Sequence, residues 1–419
     1  MTEYTKADLE VDRAQAIDDA VQRAHHELWR RFIDPTWHTF YDHAGLDGEV
    51  VLPTAEECLA DKPNALTWDI SVSDGAMFGG LYIEGAIHRW TITRQAEDRE
   101  KARRIAKGLM KLATVGQTKG FIARGLTADG SAHHALSSED QTLPWFYGMW
   151  RYVRSNVPEE DERRQVKAKI IEVMEALRSH GWKIPADRPP FDYRGRFDLF
   201  SWHGSPRLLF LLKMVADVSG DGRWEEIYRE KIAEKDPSGK PGRLETCAKG
   251  MVSALERHHT WTACPGVVAL RGLWELESDA KLKSTYEEGL KASAAVASES
   301  LPLAVQFDNN DRQTFLLDWR VMNSLWRKQN AVKEAQELAA KQIELLDSLS
   351  PRREYEARFV REPLFAAWVI TLCPDPAVLR RYAPAILEAI RHYRHERLYI
   401  SQFFPAESAY YRLRLSGIV

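Results

Sequence analysis

Two acids stand at matching places ahead of apolar, helix-like runs. Asp74 opens DGAMFGGLYIEGAIHRW (74–90), and Asp140, preceded by Glu139, opens DQTLPWFYGMWRYVR (140–154). Carboxylates about 5 to 10 Å apart are what cleavage of a glycosidic bond requires: one protonates the leaving atom while the other holds or activates water. The same acids at a helix start also act as caps, because a carboxylate satisfies free amides there and meets the positive end of the helix dipole. Both readings stand for Asp74 and Asp140, and Glu139 reads as a solvated neighbour. Trp145, Phe146, Tyr147 and Trp150 follow Asp140 within about three turns of helix. Some of these rings must face a core. Trp145 is expected at the cleft end, where an indole stacks on a sugar ring and a low dielectric raises a carboxyl's pKa.

Further polar groups recur at similar points. Trp202-His203 opens a third apolar run, and Arg257-His258-His259-Thr260-Trp261 precedes a fourth. A lone histidine is commonly a structural donor, but two His-Trp sites on one rim point to ligand contact, so Trp202, His203, His259 and Trp261 are candidate substrate-binding residues. Arg207, with Arg194 and Arg196, flanks the third run and suits bidentate binding of a carboxylate. Gln306 to Arg312 reads as a capped turn or a hydroxyl-binding loop.

No metal site is expected: His258 and His259 are adjacent and no third ligand has a recognisable spacing. Cys58, Cys247, Cys264 and Cys373 lie far apart without a Cys-x-x-Cys pair and read as buried, reduced thiols. No phosphate loop, dinucleotide fingerprint, Gly-x-Ser-x-Gly elbow or His-Glu-x-x-His is present, so no cofactor is expected. The 58 basic and 61 acidic residues are spread along all 419 positions, which excludes a phosphate-binding stripe and makes nucleic acid an unsuitable partner. The polar N-terminus MTEYTKADLEVDRAQ and the lack of a long apolar run predict a soluble, cytoplasmic protein that does not bind membranes.

These residues must be held by something, and the pattern supplies it. Apolar runs at 74–90, 140–154, 202–218, 262–276, 311–327 and 362–373 are each followed by a charged amphipathic segment, such as QAEDREKARRIAKGLMKLA, in which Ile105, Leu109 and Leu112 mark one buried stripe. Asn156 and Pro158, the Ser219–Gly222 stretch, Asp279 and Pro374-Asp375-Pro376 end one helix and start the next. Six pairs of an inner and an outer helix predict an all-α fold, an (α/α)6 toroid of six helical hairpins forming a single domain over 1–419, with an N-terminal helical extension over about 1–60. The long connections 119–138, 181–201, 236–261 and 300–312 join outer to inner helices and gather on one rim.

The segments resemble the six-hairpin glycosidase superfamily across nearly the whole chain, and are most similar to the unsaturated glucuronyl and rhamnogalacturonyl hydrolases. The similarity rests on Asp74-Gly75-Ala76-Met77-Phe78-Gly79-Gly80-Leu81-Tyr82 and Asp140-Gln141-Thr142-Leu143-Pro144-Trp145-Phe146-Tyr147. It implies that Asp140 is the general acid that protonates a vinyl-ether carbon and then activates water, with Asp74 in support. The family's Trp-x-Arg-Gly-x-x-Trp pattern is here Trp261-Thr262-Ala263-Cys264-Pro265-Gly266-Val267, without the Arg and the second Trp. The expectation is a glycoside hydrolase acting on an oligosaccharide, uronic-acid-containing ones included. The alternatives are a polysaccharide lyase or sugar epimerase working through His, Tyr or Arg, and a non-catalytic carbohydrate-binding toroid.

Overall fold

The computed structural model describes residues 6–239, 241–251 and 260–419, of which 6–13 as backbone only. Sixteen α-helices occur among them: α1 Lys6–Glu27, α2 Ala55–Leu59, α3 Gly75–Thr93, α4 Ala96–Leu112, α5 Glu139–Arg154, α6 Glu160–Ser179, α7 Ser205–Ser219, α8 Arg223–Ala233, α9 Arg243–Lys249, α10 Thr260–Leu276, α11 Ala280–Ser298, α12 Val332–Leu349, α13 Pro351–Glu356, α14 Glu362–Thr371, α15 Pro376–His392 and α16 Pro405–Leu415. One small antiparallel hairpin, β1 Lys183–Pro185 and β2 Tyr193–Arg196, pairs Lys183 with Arg196 and Pro185 with Tyr193. The fold is therefore all-α in class. No helix among the described residues is long and apolar enough to cross a membrane.

The apolar runs are buried on nearly every side. From Gly75 to Ile87 no residue of α3 is open to solvent, and neither is any from Gln141 to Trp150 of α5. Amphipathic α4 and α6 bury one stripe each, Ile105, Leu109 and Leu112 in the first and Val166, Ile170, Val173 and Leu177 in the second. The predicted stops hold: Gly220 ends α7 with φ +70°, and Asp279 and Asp375 cap α11 and α15 by accepting amide hydrogens with their side chains.

α3 packs on α5 and α4; α7 on α10 and α8; α14 on α10, α16 and α15; α16 on α3. α1 lies against α15 and α16, so the two ends of the chain meet. Two helices can approach as closely as α3 and α5 do only at glycine: a Cβ on Gly80 would fall 2.2 Å from the Pro144 carbonyl oxygen, and one on Gly148 2.5 Å from the Gly80 carbonyl oxygen.

The predicted inner helix at 311–327 is corrected. That stretch is extended and then forms a 3-10 turn over Trp319–Leu325. Its Trp319 donates to the Val51 carbonyl at 2.8 Å, and Arg320 pairs with Glu57 at 2.7 Å. Polar and charged residues interrupt its apolar positions, and Asp318 caps the 3-10 turn with its side chain. The helix that follows, α12, forms as expected but packs on this segment and on α13. A largely buried helix missing from the sequence reading is α16, whose Glu407, Ser408 and Arg412 disguise its burial.

Candidate functional site

The starts of five buried helices are joined by a run of polar contacts. Gln141 of α5 donates through Nε2 to Asp74 Oδ1 at the start of α3 (2.5 Å). Arg207 of α7 donates through Nη1 to Asp140 Oδ1 (2.8 Å) and through Nη2 to the Thr262 carbonyl of α10 (3.4 Å). The Thr260 amide of α10 donates to Glu362 Oε2 of α14 (2.8 Å).

Neither catalytic candidate is a cap. Asp74 sits at the N-cap position of α3 with no side-chain bond to a helix amide, and Ser138, not Asp140, precedes the first residue of α5. Instead, the Asp74 carboxylate takes both of its side-chain donors, Arg124 Nη2 (2.8 Å) and Gln141 Nε2, on Oδ1. Its side chain is 13% exposed, and burial raises its pKa in spite of Arg124, with the Asp140 charge adding to the rise. Asp140 is held on one oxygen by a guanidinium with no exposure at all, while its own side chain is 37% exposed. Pro144 has no amide hydrogen for the carbonyl of Asp140, four residues back, so the first turn of α5 is free of one internal bond where the acid stands. Pro265 does the same for Trp261 in α10, and there the Cys264 thiol donates to the released carbonyl at 3.1 Å.

Loops add further groups to the starts of these helices. Arg124, from the connection after α4, also donates to Ser138 Oγ (3.1 Å) and so ties the starts of α3 and α5 together. Arg194 on β2 reaches the Ser137 carbonyl through Nη1 (2.5 Å), and its other guanidine nitrogens bond no described residue. Burial, then the neighbouring Arg124 charge, bring its pKa down to about 10, so it stays a cation. Gly195, with φ +84°, lets this strand lie on Glu139, whose Oε2 would be 2.0 Å from any Cβ there. Glu139 is accordingly not a solvated neighbour but a half-buried acid whose pKa is raised by burial and then by Asp140.

His203 is solvent-exposed, accepts from Arg207 Nη2 through Nδ1 (3.2 Å), and has its pKa lowered by desolvation and then by the Arg207 charge. It is neutral at pH 7, with the proton on Nε2. Trp261 is half-buried beneath the Arg361 guanidinium, 4.3 Å from its ring centre. Beside it Glu362, 1% exposed, is raised to about 7 by burial, more than Arg361 lowers it.

Three predicted subsite residues are corrected. Arg207 has no exposure and its guanidinium is taken up by Asp140 and the Thr262 carbonyl, so it presents nothing to a substrate carboxylate. Trp145 is wholly buried and donates to the Leu109 carbonyl of α4 at 2.9 Å, so its ring packs between helices and offers no face to a ligand. Trp202 is 7% exposed, donates to the Ala263 carbonyl (3.1 Å) and covers Gly266, where a Cβ would meet the indole at 2.6 Å. It is a wedge between the entry to α7 and α10. Arg196 turns outward to Asp198, and the Gln306–Arg312 cluster is a turn tied down by Asp311–Arg352 (2.6 Å) and by Asn309 donating to the His392 carbonyl (2.9 Å). His259 lies outside the described residues.

The sequence reading did not single out Trp68, Asp42 or Arg124. Trp68 is half-buried, 6.0 Å from the Arg194 guanidinium, between Thr67 (φ +58°) and Asp69 (φ +61°). Two adjacent-but-one non-glycine residues in the left-handed region are costly and concentrate at functional sites. Asp42 accepts the Asp74 amide from beneath. No group of three or more His, Cys, Asp or Glu among the described residues is arranged to hold a metal ion. A scan of the sequence against protein-family models returns no match, and a search of curated proteins returns none either.

Proposed function

We propose that the protein is a glycoside hydrolase that acts on an oligosaccharide by carboxylate acid/base catalysis, built on a toroid of six helical hairpins. In this reading α3, α5, α7, α10, α14 and α16 are the inner helices and α4, α6, α8, α11, α15 and α1 their outer partners. The packing of each inner helix on the next, and of α16 on α3, supports it. The sixth hairpin is then formed by the C-terminal helix with the N-terminal one.

The observation that carries the functional reading is the Asp74–Gln141/Asp140–Arg207 arrangement: a solvent-reached carboxylate, anchored on one oxygen, joined through its neighbouring residue to a buried carboxylate. Asp140, whose second oxygen accepts from no donor among the described residues, takes the acid/base role at the substrate. Asp74 holds Gln141, whose Oε1 also accepts the Met77 amide (3.1 Å), so both ends of that amide are tied to the start of α3. Arg194, Trp68, His203 and Trp261 offer charge, stacking and hydrogen bonding around the acid pair.

Neutral and uronic-acid oligosaccharides incubated with the wild-type protein and Asp140→Asn test the proposal. Asn keeps the acceptor for Arg207, so the fold survives, and turnover is expected to fall by about 100-fold or more. Equal turnover in both proteins removes Asp140 from the reaction. His203, exposed and neutral beside Arg207, is the observation that favours a lyase or an epimerase. A product absorbing in the ultraviolet, or one of unchanged mass, together with dependence on His203 instead of Asp140, decides for those.

A further inference from the structure

Three aspartates meet beneath the starts of α3 and α5, and their environments differ. Asp74 is paired with Arg124 and Asp140 with Arg207, whereas Asp42 has no cation within ion-pair distance among the described residues. Asp42 is 6% exposed. Its main chain is clamped, with the amide donating to the Ser71 carbonyl (2.8 Å) and the carbonyl accepting from the Ser401 amide (2.8 Å). Its side chain has one bond among the described residues, Oδ1 accepting the Asp74 amide at 2.9 Å.

The segment that carries it is held close to α3. A Cβ on Gly75 would meet the Arg124 carbonyl oxygen at 2.7 Å and the Phe40 carbonyl oxygen at 3.2 Å, so the segment bearing Asp42 is pressed against the start of α3. The charged groups around Asp42 are Asp69 and Asp74 from the loop before α3, Arg124 from the connection after α4, and Arg353 from α13. Arg124 is spent on Asp74, and Arg353 bonds His43 Nε2 (3.0 Å) and the Leu316 carbonyl (3.0 Å). A carboxylate left only 6% exposed, with one hydrogen bond among the described residues and a second carboxylate beside it, is expensive as an anion, and taking up a proton removes that cost. Burial first and the Asp74 charge second act in this direction, pushing its pKa well up.

We propose that Asp42 is the carboxyl of this cluster that carries a proton at neutral pH, and that it is a positioning residue for Asp74, fixing the first amide of α3 while leaving Arg124 to Asp74 alone. Its consequence for catalysis rests on the hydrolase reading above; its protonation does not.

The carboxyl resonances of protein labelled with 13C-aspartate separate the two. At pH 7 the wild type is expected to show a protonated aspartate signal that is absent from Asp42→Asn. In Asp74→Asn the signal remains and titrates at a lower pH than in the wild type, because the neighbouring charge is gone. No protonated signal at pH 7, or one that survives Asp42→Asn and vanishes in Asp74→Asn, overturns the proposal. Where turnover is found, Asp42→Ala lowers kcat by about tenfold or more with KM unchanged, and Asp42→Asn, which keeps the acceptor for the Asp74 amide, recovers most of that loss. A loss that Asn does not recover overturns the positioning role. If no substrate is turned over, the hydrolase reading fails and the resonances alone decide the protonation.

Discussion

Trp145 and Arg194 show how differently two residues near the start of α5 can act. The Trp145 indole spends its N–H on Leu109 and its rings on the core, whereas Arg194 spends one of its nitrogens on Ser137 and leaves the rest. Trp145→Phe should therefore cost about 1–3 kcal/mol of stability, through a lost buried bond and lost volume, and, on the hydrolase proposal, leave saccharide affinity unchanged. Arg194→Gln should do the reverse, with little change in melting temperature and weaker binding. Thermal melts with calorimetric titration of each variant check the pair, and a stable Trp145→Phe with weakened binding would return Trp145 to the subsite. At this scale the acids could be singled out in the sequence, because residue type and position ahead of an apolar run are local facts. That all four rings of Trp145, Phe146, Tyr147 and Trp150 are buried was not a local fact, since it depends on how α5 packs against α3, α4 and α7.

The helices are set by contacts at both of their ends. At the start of the pair, the separation of Asp74 from Asp140 depends on the crossing of α3 and α5 at Gly80 and Gly148. Gly80→Ala puts a methyl group against the Pro144 carbonyl, so it should cost at least about 1–3 kcal/mol and part the two acids. The expected result is a lower melting temperature with a fall in any turnover, checked in the same preparation; a variant as stable as the wild type would mean that the helices are not locked there. At the far ends of these buried helices, Glu84 of α3 meets Arg151 of α5 (2.9 Å) and Arg412 of α16 (2.8 Å), and Arg151 also grips Glu275 of α10. Burial opposes the Glu84 charge, but the Arg412 and Arg151 guanidiniums prevail and hold its pKa at about 2. Its folded-state pKa is thus depressed, so its stabilisation, about 3 kcal/mol, is complete above the unfolded value near 4.5 and is lost as the pH falls from there towards 2. Urea titrations between pH 6 and 3 should show that loss in the wild type and a flatter dependence in Glu84→Gln. These ends were not legible: charged residues inside apolar runs read as faults in the pattern until their partners on other helices are known.

Across the whole molecule the two chain ends are one structural unit. His25 of α1 approaches Glu407 of α16 at 3.0 Å, and Tyr82 of α3 donates to the same carboxylate at 3.0 Å, with Glu407 only 2% exposed. Glu407→Ala should leave His25 and the Tyr82 hydroxyl without that acceptor, lower stability by about 3–5 kcal/mol, and expose the α1 region to limited proteolysis. Unchanged protease resistance would show that α1 is held by its apolar contacts alone. The sequence by itself determined the helical class and most helix limits, and it singled out Asp74 and Asp140 as candidates, because periodicity, capping residues and residue type are carried by neighbours a few positions apart. Only the tertiary structure decided that 311–327 is not a helix and that α16 with α1 takes a place among the packed pairs. It alone decided that Trp145 and Trp202 are packing residues, and that Asp42, Arg124 and Trp68 surround the acids. Each of those outcomes depends on contacts between segments far apart in the chain, where burial and charge pairing outweigh local preference.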